Sequence, residues 1–267
     1  MIVKVNKTKQ NKGNEMKLNN KLLSSIALAG VLMTGCSAAS STHWGYTGHE
    51  GPTNWGDLDP KYEMCKKGMN QAPINISKDV TIKTEGLKAI DFNYKTGASS
   101  VINNGHTIQV NVKDGSSIKV DGITFNLIQF HFHTPSENQI EGKHFPLEAH
   151  FVHASKDGEL AVVAVLFEDG KENPIIKKIW NKMPHKAGGN ATCGLSSKVV
   201  NDILPKNKEY YRFTGSLTTP PCSEGVRWLV LKNYSTISKA QAVEFLKTMH
   251  HKNNRPVLPI NARKVMK

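Results

Sequence analysis

Short apolar runs alternate with polar positions along most of the chain, mostly with the period of a strand. Residues 100–113 alternate around Val101, Ile108, Val110 and Val112. Residues 123–133, 147–153 and 160–167 are further short apolar runs bounded by Gly, Asp or Lys, which read as strands. Gly158 and Gly225 fit turns. Helical spacing is scarce. It occurs over 173–182, through Ile175, Ile176, Ile179 and Trp180, and over 239–251, through Ala242, Phe245 and Leu246, with Ser238 as a suitable cap. No repeat, low-complexity linker or composition break divides the chain beyond residue 41. The pattern predicts a single, mainly β domain.

The first 35 residues follow a different rule. Met1 and Met16 are both available starts. After Met16 come Lys17 and Lys21, then an apolar run from Leu22 to Met33 that ends in small residues. Positive charge followed by a dozen apolar residues has the form of a secretory signal peptide, and the run falls short of the roughly 20 residues that span a bilayer. Thr34-Gly35-Cys36 resembles a bacterial lipobox, with Met33 where Leu is commoner; Cys36 would then be lipidated. Ordinary cleavage near Ala38 or Ala39 is the alternative exit. The reading is a leader over 1–35, cleaved near 35–40, and a folded domain over 41–267. It predicts an exported, periplasmic protein, either soluble or anchored by lipid at Cys36.

Composition narrows the class. With 38% hydrophobic and 21% charged residues, the 267-residue chain has the make-up of a soluble globular protein, which argues against disorder or multiple membrane spans. The net charge is +13; six lysines and one glutamate put +5 in residues 1–35, which leaves +8. No Arg-rich helix or interleaved basic and aromatic stripe accompanies it, so the remainder reads as a solvated basic surface and no nucleic-acid partner is expected. Beyond Cys36, the three cysteines Cys65, Cys193 and Cys222 allow at most one internal bridge, and spacing does not choose the pair.

The candidate chemistry lies in the histidines. In Gln129-Phe130-His131-Phe132-His133, strand geometry puts Gln129, His131 and His133 on one face and the two phenylalanines in the core. Glu148-Ala149-His150-Phe151-Val152 repeats the logic, with Glu148, His150 and Val152 sharing a face. An isolated His-x-His on a strand is more often packing or surface than a metal site. If the two strands pair as antiparallel neighbours, however, His150 completes a three-nitrogen set with an open fourth position, the pattern of catalytic zinc. Gln129 and Glu148 lie where they could hold the second ring nitrogens of the ligands. His144, His153, His185, His250 and His251 receive no assignment; histidines in pairs or loops are commonly on the surface.

These segments resemble the α-class carbonic anhydrases, in a form like the bacterial branch. The resemblance runs from Trp44 to Arg263 through His43-Trp44-Gly45-Tyr46, Gly51-Pro52, Trp55, Gln71-Ala72-Pro73-Ile74-Asn75-Ile76 and Asn103-Asn104-Gly105-His106. It continues through 129–138 and 148–153, Leu217-Thr218-Thr219-Pro220-Pro221-Cys222, Trp228 and Asn254-Arg255-Pro256. It implies a large, mostly antiparallel twisted central sheet of about ten strands with short peripheral helices. It implies one Zn2+ per chain on His131, His133 and His150, backed by Gln129 and Glu148. Reversible hydration of carbon dioxide to bicarbonate and a proton would proceed by hydroxide attack from zinc, with His106 as proton shuttle. Thr218 would be the gatekeeper, its hydroxyl donating to Glu137. Thr219 would line the polar side of the substrate pocket, and Val152, Val162, Leu217, Val226 and Trp228 its apolar wall. The resemblance further implies a Cys65–Cys222 disulfide, an unpaired Cys193, a cis bond at Pro220-Pro221, and the option of a homodimer. Two other readings are a catalytically silent binding module on the same fold and a zinc-carrying protein. The first is expected to lose a zinc histidine and the second to lack the gatekeeper, yet His131, His133, His150 and Thr218 are all present.

Overall fold

The computed structural model describes residues 42–267, so the leader and Cys36 lie outside the described residues. Within them, ten strands form one continuous path. In spatial order they are Asn190–Leu195, Ala98–Asn103, Ile108–Val112, Ile123–His133, Leu147–Ser155, Leu160–Asp169, Glu224–Leu231, Tyr210–Ser216, Val265–Met266 and Thr81–Ile82. Three short strands branch from this path and bring the sheet to 13. Most pairings are antiparallel; Leu160–Asp169 runs parallel to Glu224–Leu231 and Ser235–Ile237, and Val265–Met266 to Thr81–Ile82. The expected mainly β architecture is therefore present, with the ten strands as its main path.

The strand Ile123–His133 has the bounds that its alternation predicts. The run at 160–167 is apolar throughout because both its faces are covered. Ala161, Val163, Val165 and Phe167 enter one core with Phe130, Phe132 and Phe151. Val162, Ala164 and Leu166 enter a second, with Phe213, Val226 and Trp228. Helix Pro174–Trp180 is capped by Asn173, whose Oδ1 accepts from the Ile175 and Ile176 amides at 2.9 and 3.1 Å. Helix Lys239–Met249 opens on a Ser238–Gln241 capping box. Both pack into the first core.

Two expectations need correction. The alternation over 100–113 is a hairpin of two strands, Ala98–Asn103 and Ile108–Val112, turned by Asn104, Gly105 and His106. Gly225 is not in a turn. Gly215 pairs with Val226 and Ser216 with Glu224, so Gly225 is the extra residue of a β-bulge, at a φ of 92° that suits glycine.

A second bulge precedes the histidines. Leu127 pairs with His153 and Gln129 with Val152, leaving Ile128 unpaired and half-exposed. Phe125 and Leu127 before it, and Phe130 and Phe132 after it, all point into the same core. Past the bulge the register is regular: His131 lies opposite His150, and His133 opposite Glu148.

Candidate metal centre

Direct cross-strand pairing brings the three histidines together. Their ring centres are 4.6 to 5.4 Å apart, and one nitrogen of each lies within 4.8 Å of the other two. His133 and His150 are buried and His131 is half-buried. Burial holds all three imidazoles below the usual histidine range, well below it for His131 and His150; for these two the neighbouring histidines act in the same direction. All three are therefore neutral near pH 7, the form in which imidazole offers a lone pair to a metal.

Two of the rings are fixed from behind by hydrogen bonds, and the third faces a carboxylate. His131 Nδ1 donates to Gln129 Oε1 at 2.9 Å. His133 Nδ1 donates to the main-chain carbonyl of Asn253 at 2.7 Å. His150 Nε2 stands 3.0 Å from Glu148 Oε1, although the angle falls short of a hydrogen bond. Glu148 is itself held by the amides of Glu137 and Asn138, at 2.7 and 2.9 Å, and by Asn138 Nδ2 at 2.8 Å. These bonds lower its pKa but do not outweigh burial, which leaves the carboxyl above its usual range.

The three side chains fit a metal. His133 Nε2 is buried with no hydrogen-bond partner, and such an orphan inside a cluster of neutral imidazoles calls for a cation. Nitrogen donors from three histidines suit zinc, with room for a further ligand.

Glu137 is fully buried beside this cluster, 3.5 Å from His133 Nδ1. Burial raises its carboxyl to about 8, against the Arg255 amide that donates to Oε1 at 2.8 Å and the nearby Thr218 hydroxyl. Its Oε2 has no aligned partner. Thr218 is buried in the turn that follows strand Tyr210–Ser216, closed by the Leu217 amide on Ser223 O at 3.0 Å.

A cleft of about 140 Å³ opens onto His131 and His133 and is lined also by His106, Thr219, Trp44, Tyr46, Asn104, Thr107, Gln109 and Gln129. His106 stacks on Trp44 with ring centres 3.8 Å apart and planes within 8°. Asn104 Oδ1 accepts from the His106 amide at 2.9 Å, fixing the turn. Val152, Val162, Leu217, Val226 and Trp228 do not line this cleft. They pack together beside it: Val162 lies opposite both Val152 and Trp228, and the Trp228 ring is 4.9 Å from that of His150. Cys65 and Cys222 form the disulfide, Cys193 is free, and Pro220-Pro221 is cis.

Three contributors carry no role in the sequence reading. Asn253 acts through its carbonyl and is not legible by residue type. Arg255 and Asn138 fall inside the recognised segments; their signal was a buried charge or amide next to a site carboxylate. His153, without an assignment from sequence, is fully buried and bonded to the Tyr94 hydroxyl at 2.8 Å.

The family model described as eukaryotic-type carbonic anhydrase matches residues 50–267. A protein named carbonic anhydrase from Neisseria gonorrhoeae is 50% identical over 247 residues, covering 90% of this chain and 96% of that one. The structure of an alpha-carbonic anhydrase from Thermovibrio ammonificans in complex with the inhibitor sulfanilamide superposes with a TM-score of 0.83 at 49% identity. It covers 85% of this chain and 100% of that one. Dioscorin complexed with ascorbate is more distant, with a TM-score of 0.78 at 32% identity, covering 84% and 97%. Histidine cluster, sheet and sequence lead to one assignment: the chain belongs to the α-class, eukaryotic-type carbonic anhydrase family.

Proposed function

We propose that this is an exported zinc enzyme that interconverts carbon dioxide and water with bicarbonate and a proton, His106 carrying the proton outward. The observation behind the reading is one cleft that exposes neutral His131 and His133 at one end and His106 in its wall. His131, His133 and His150 would hold the zinc. When bound, zinc supplies Lewis-acid activation of water near neutral pH, as is established for carbonic anhydrases.

The rest falls to the chain's own side chains. Beside a dication held by the histidines, Glu137 would favour its charged form. Its carboxylate would then accept a hydrogen bond from the Thr218 hydroxyl, which leaves the Thr218 oxygen to accept one from the nucleophile and so orient it. The packed Val152, Val162, Val226 and Trp228 exclude water on the side where an apolar substrate gains most from leaving solvent. Thr219 offers a hydroxyl on the polar side. His106 is half-exposed, and burial followed by the nearby His43 and His251 lowers its pKa from the ordinary value. Imidazole is the side chain whose ordinary titration range lies nearest neutrality, which suits it to taking up and releasing protons.

Stopped-flow carbon dioxide hydration, with and without a zinc chelator, tests this reading beside His106→Ala. Zinc-dependent turnover that falls in the variant and recovers in imidazole buffer is the expected result. Zinc binding without turnover would instead point to a binding module. Export rests on Lys17, Lys21 and the apolar run that follows them. Fractionation of cells carrying Cys36→Ser separates the two exits: loss from the membrane fraction marks lipidation, and an unchanged distribution marks soluble export.

A further inference from the structure

The turn that carries His106 is braced from within. Asn104 Oδ1 accepts from the His106 and Thr107 amides at 2.9 and 2.8 Å, and the Asn104 amide donates to Thr107 O at 3.2 Å. Asn103 Oδ1 accepts from the Gly105 amide at 3.1 Å, and Asn103 Nδ2 donates to Pro184 O at the same distance. Residues 103–107 therefore shift as one piece. The place of His106 relative to the histidine cluster depends on what ties this piece to the strand Ile123–His133.

Main-chain pairing supplies only part of the tie. The ladder between Ile108–Val112 and Ile123–His133 ends at Gln109 opposite His131. Past that end lie the main-chain N–H and C=O of Phe132, the residue between His131 and His133. Thr107 meets both: its buried hydroxyl donates to Phe132 O at 2.5 Å and accepts from the Phe132 amide at 3.2 Å. A hydroxyl can do this because it donates and accepts at one atom. Asn253 Nδ2 adds a second tie, donating to Phe132 O at 2.9 Å and to His106 O at 3.1 Å. Thr107 is the tie that belongs to the turn itself, and it lines the cleft beside His106.

We propose that Thr107 is a positioning residue for proton transfer: its hydroxyl, closed on both main-chain groups of Phe132, sets the reach from His106 to the histidine cluster. The inference rests on the reading of His106 as the shuttle. A proton crosses a cleft along hydrogen bonds of about 2.8 Å between oxygens. A turn displaced by about 1 Å breaks such a chain, and a misplacement of that size costs up to about 10²-fold in rate. The rings of His131 and His133 are held by Gln129 and Asn253, so the loss should fall on the exit of the proton alone.

Thr107→Val keeps the shape of the side chain and removes the hydroxyl, whereas Thr107→Ser keeps the hydroxyl. Stopped-flow carbon dioxide hydration by the zinc-loaded variants at low buffer concentration separates the steps. The ratio kcat/KM covers the path from free enzyme and carbon dioxide to released bicarbonate, while kcat also contains the exit of the proton. Thr107→Val should lower kcat about tenfold with kcat/KM unchanged, so that KM falls by the same factor. Imidazole buffer should restore kcat, and Thr107→Ser should behave as the parent does. Partial unfolding would scale kcat and kcat/KM together and leave KM where it was.

A second readout needs no metal. The NMR signals of the His106 ring, shifted by the stacked Trp44 indole, should move in Thr107→Val and stay in place in Thr107→Ser. Equal falls in kcat and kcat/KM, no fall in either, or unmoved His106 signals in Thr107→Val overturn the proposal. His106→Ala keeps the two readings apart. If kcat is lost there and kept in Thr107→Val, this proposal alone fails; if it is kept in both, the shuttle fails with it.

Discussion

His133 donates from Nδ1 to the main-chain carbonyl of Asn253 at 2.7 Å, across 120 positions of sequence. A carbonyl can only accept, so this bond fixes the tautomer and leaves the lone pair on Nε2, the atom without a partner. The Asn253 side chain secures the same carbonyl: its Nδ2 donates to Phe132 O at 2.9 Å and His106 O at 3.1 Å, and its Oδ1 accepts from the Thr134 amide at 2.8 Å.

Asn253→Ala therefore reaches the metal without removing a ligand. A buried amide and two carbonyls lose their partner, a cost of about 2–3 kcal/mol in stability. Zinc affinity should fall about 10- to 100-fold as the His133 ring loses its orientation. Competition with a chromophoric chelator reads the affinity and urea unfolding the stability. Unchanged affinity would show that the carbonyl stays in place without its side chain.

Gln129→Leu isolates the same effect at a half-buried position. His131 loses its acceptor, so zinc affinity should drop about tenfold or more, with urea stability nearly unchanged because little buried surface is lost. Equal affinity in parent and variant would remove Gln129 from the site.

Trp44→Ala should raise the pKa of His106 toward the ordinary histidine value. Burial is the first cause of its depression, and the stacked indole covers one face of the ring. Titration of the His106 ring protons by NMR reads the shift directly. An unmoved pKa would assign the burial to other walls of the cleft.

His153 predicts acid sensitivity. Burial pushes its pKa down to about 4, against weaker bonds to main-chain carbonyls. The unfolded chain, with an ordinary value near 6.5, takes up the proton first. Its contribution is thus fully present above pH 6.5 and lost as pH falls toward 4, by about 2 kcal/mol at pH 5. Urea midpoints at pH 7 and 5 measure the loss, and His153→Gln should flatten the difference.

Reduction of Cys65–Cys222 opens a loop of 157 residues. Loop-closure entropy sets the loss at about 5 kcal/mol as an upper figure. Unfolding with and without reductant, beside Cys65→Ser with Cys222→Ser, should agree. A reductant effect that persists in the double variant would implicate another thiol.

How much of this was legible depends on which atoms do the work. Where a side chain acts from its own strand, period two was enough: Gln129 with His131, and Glu148 with His150, share faces as the sequence predicts. Where the partner is a main-chain carbonyl, as at Asn253, no residue type announces it. Gly225 was misread because a bulge and a turn both ask for the same glycine. His153 received no assignment because a buried imidazole and an exposed one are written with the same letter, and only its burial and its bond to Tyr94 tell them apart. The apolar wall was found by resemblance, and register then aligned Val152, Val162 and Trp228 in one row.

The bulge at Ile128 has a genetic consequence. The strand holds one residue more than its two faces require, since Leu127 before it and Phe130 after it already point the same way. A three-nucleotide deletion at position 128 should leave the histidines on the metal side and the phenylalanines in the core. The same deletion two codons later, at Phe130, would also keep His131 and His133 on the metal side, but it would turn Gln129 inward to the place of Phe130. Of two lesions of equal size, one removes a half-exposed side chain and the other puts an amide in the core and takes the partner from His131.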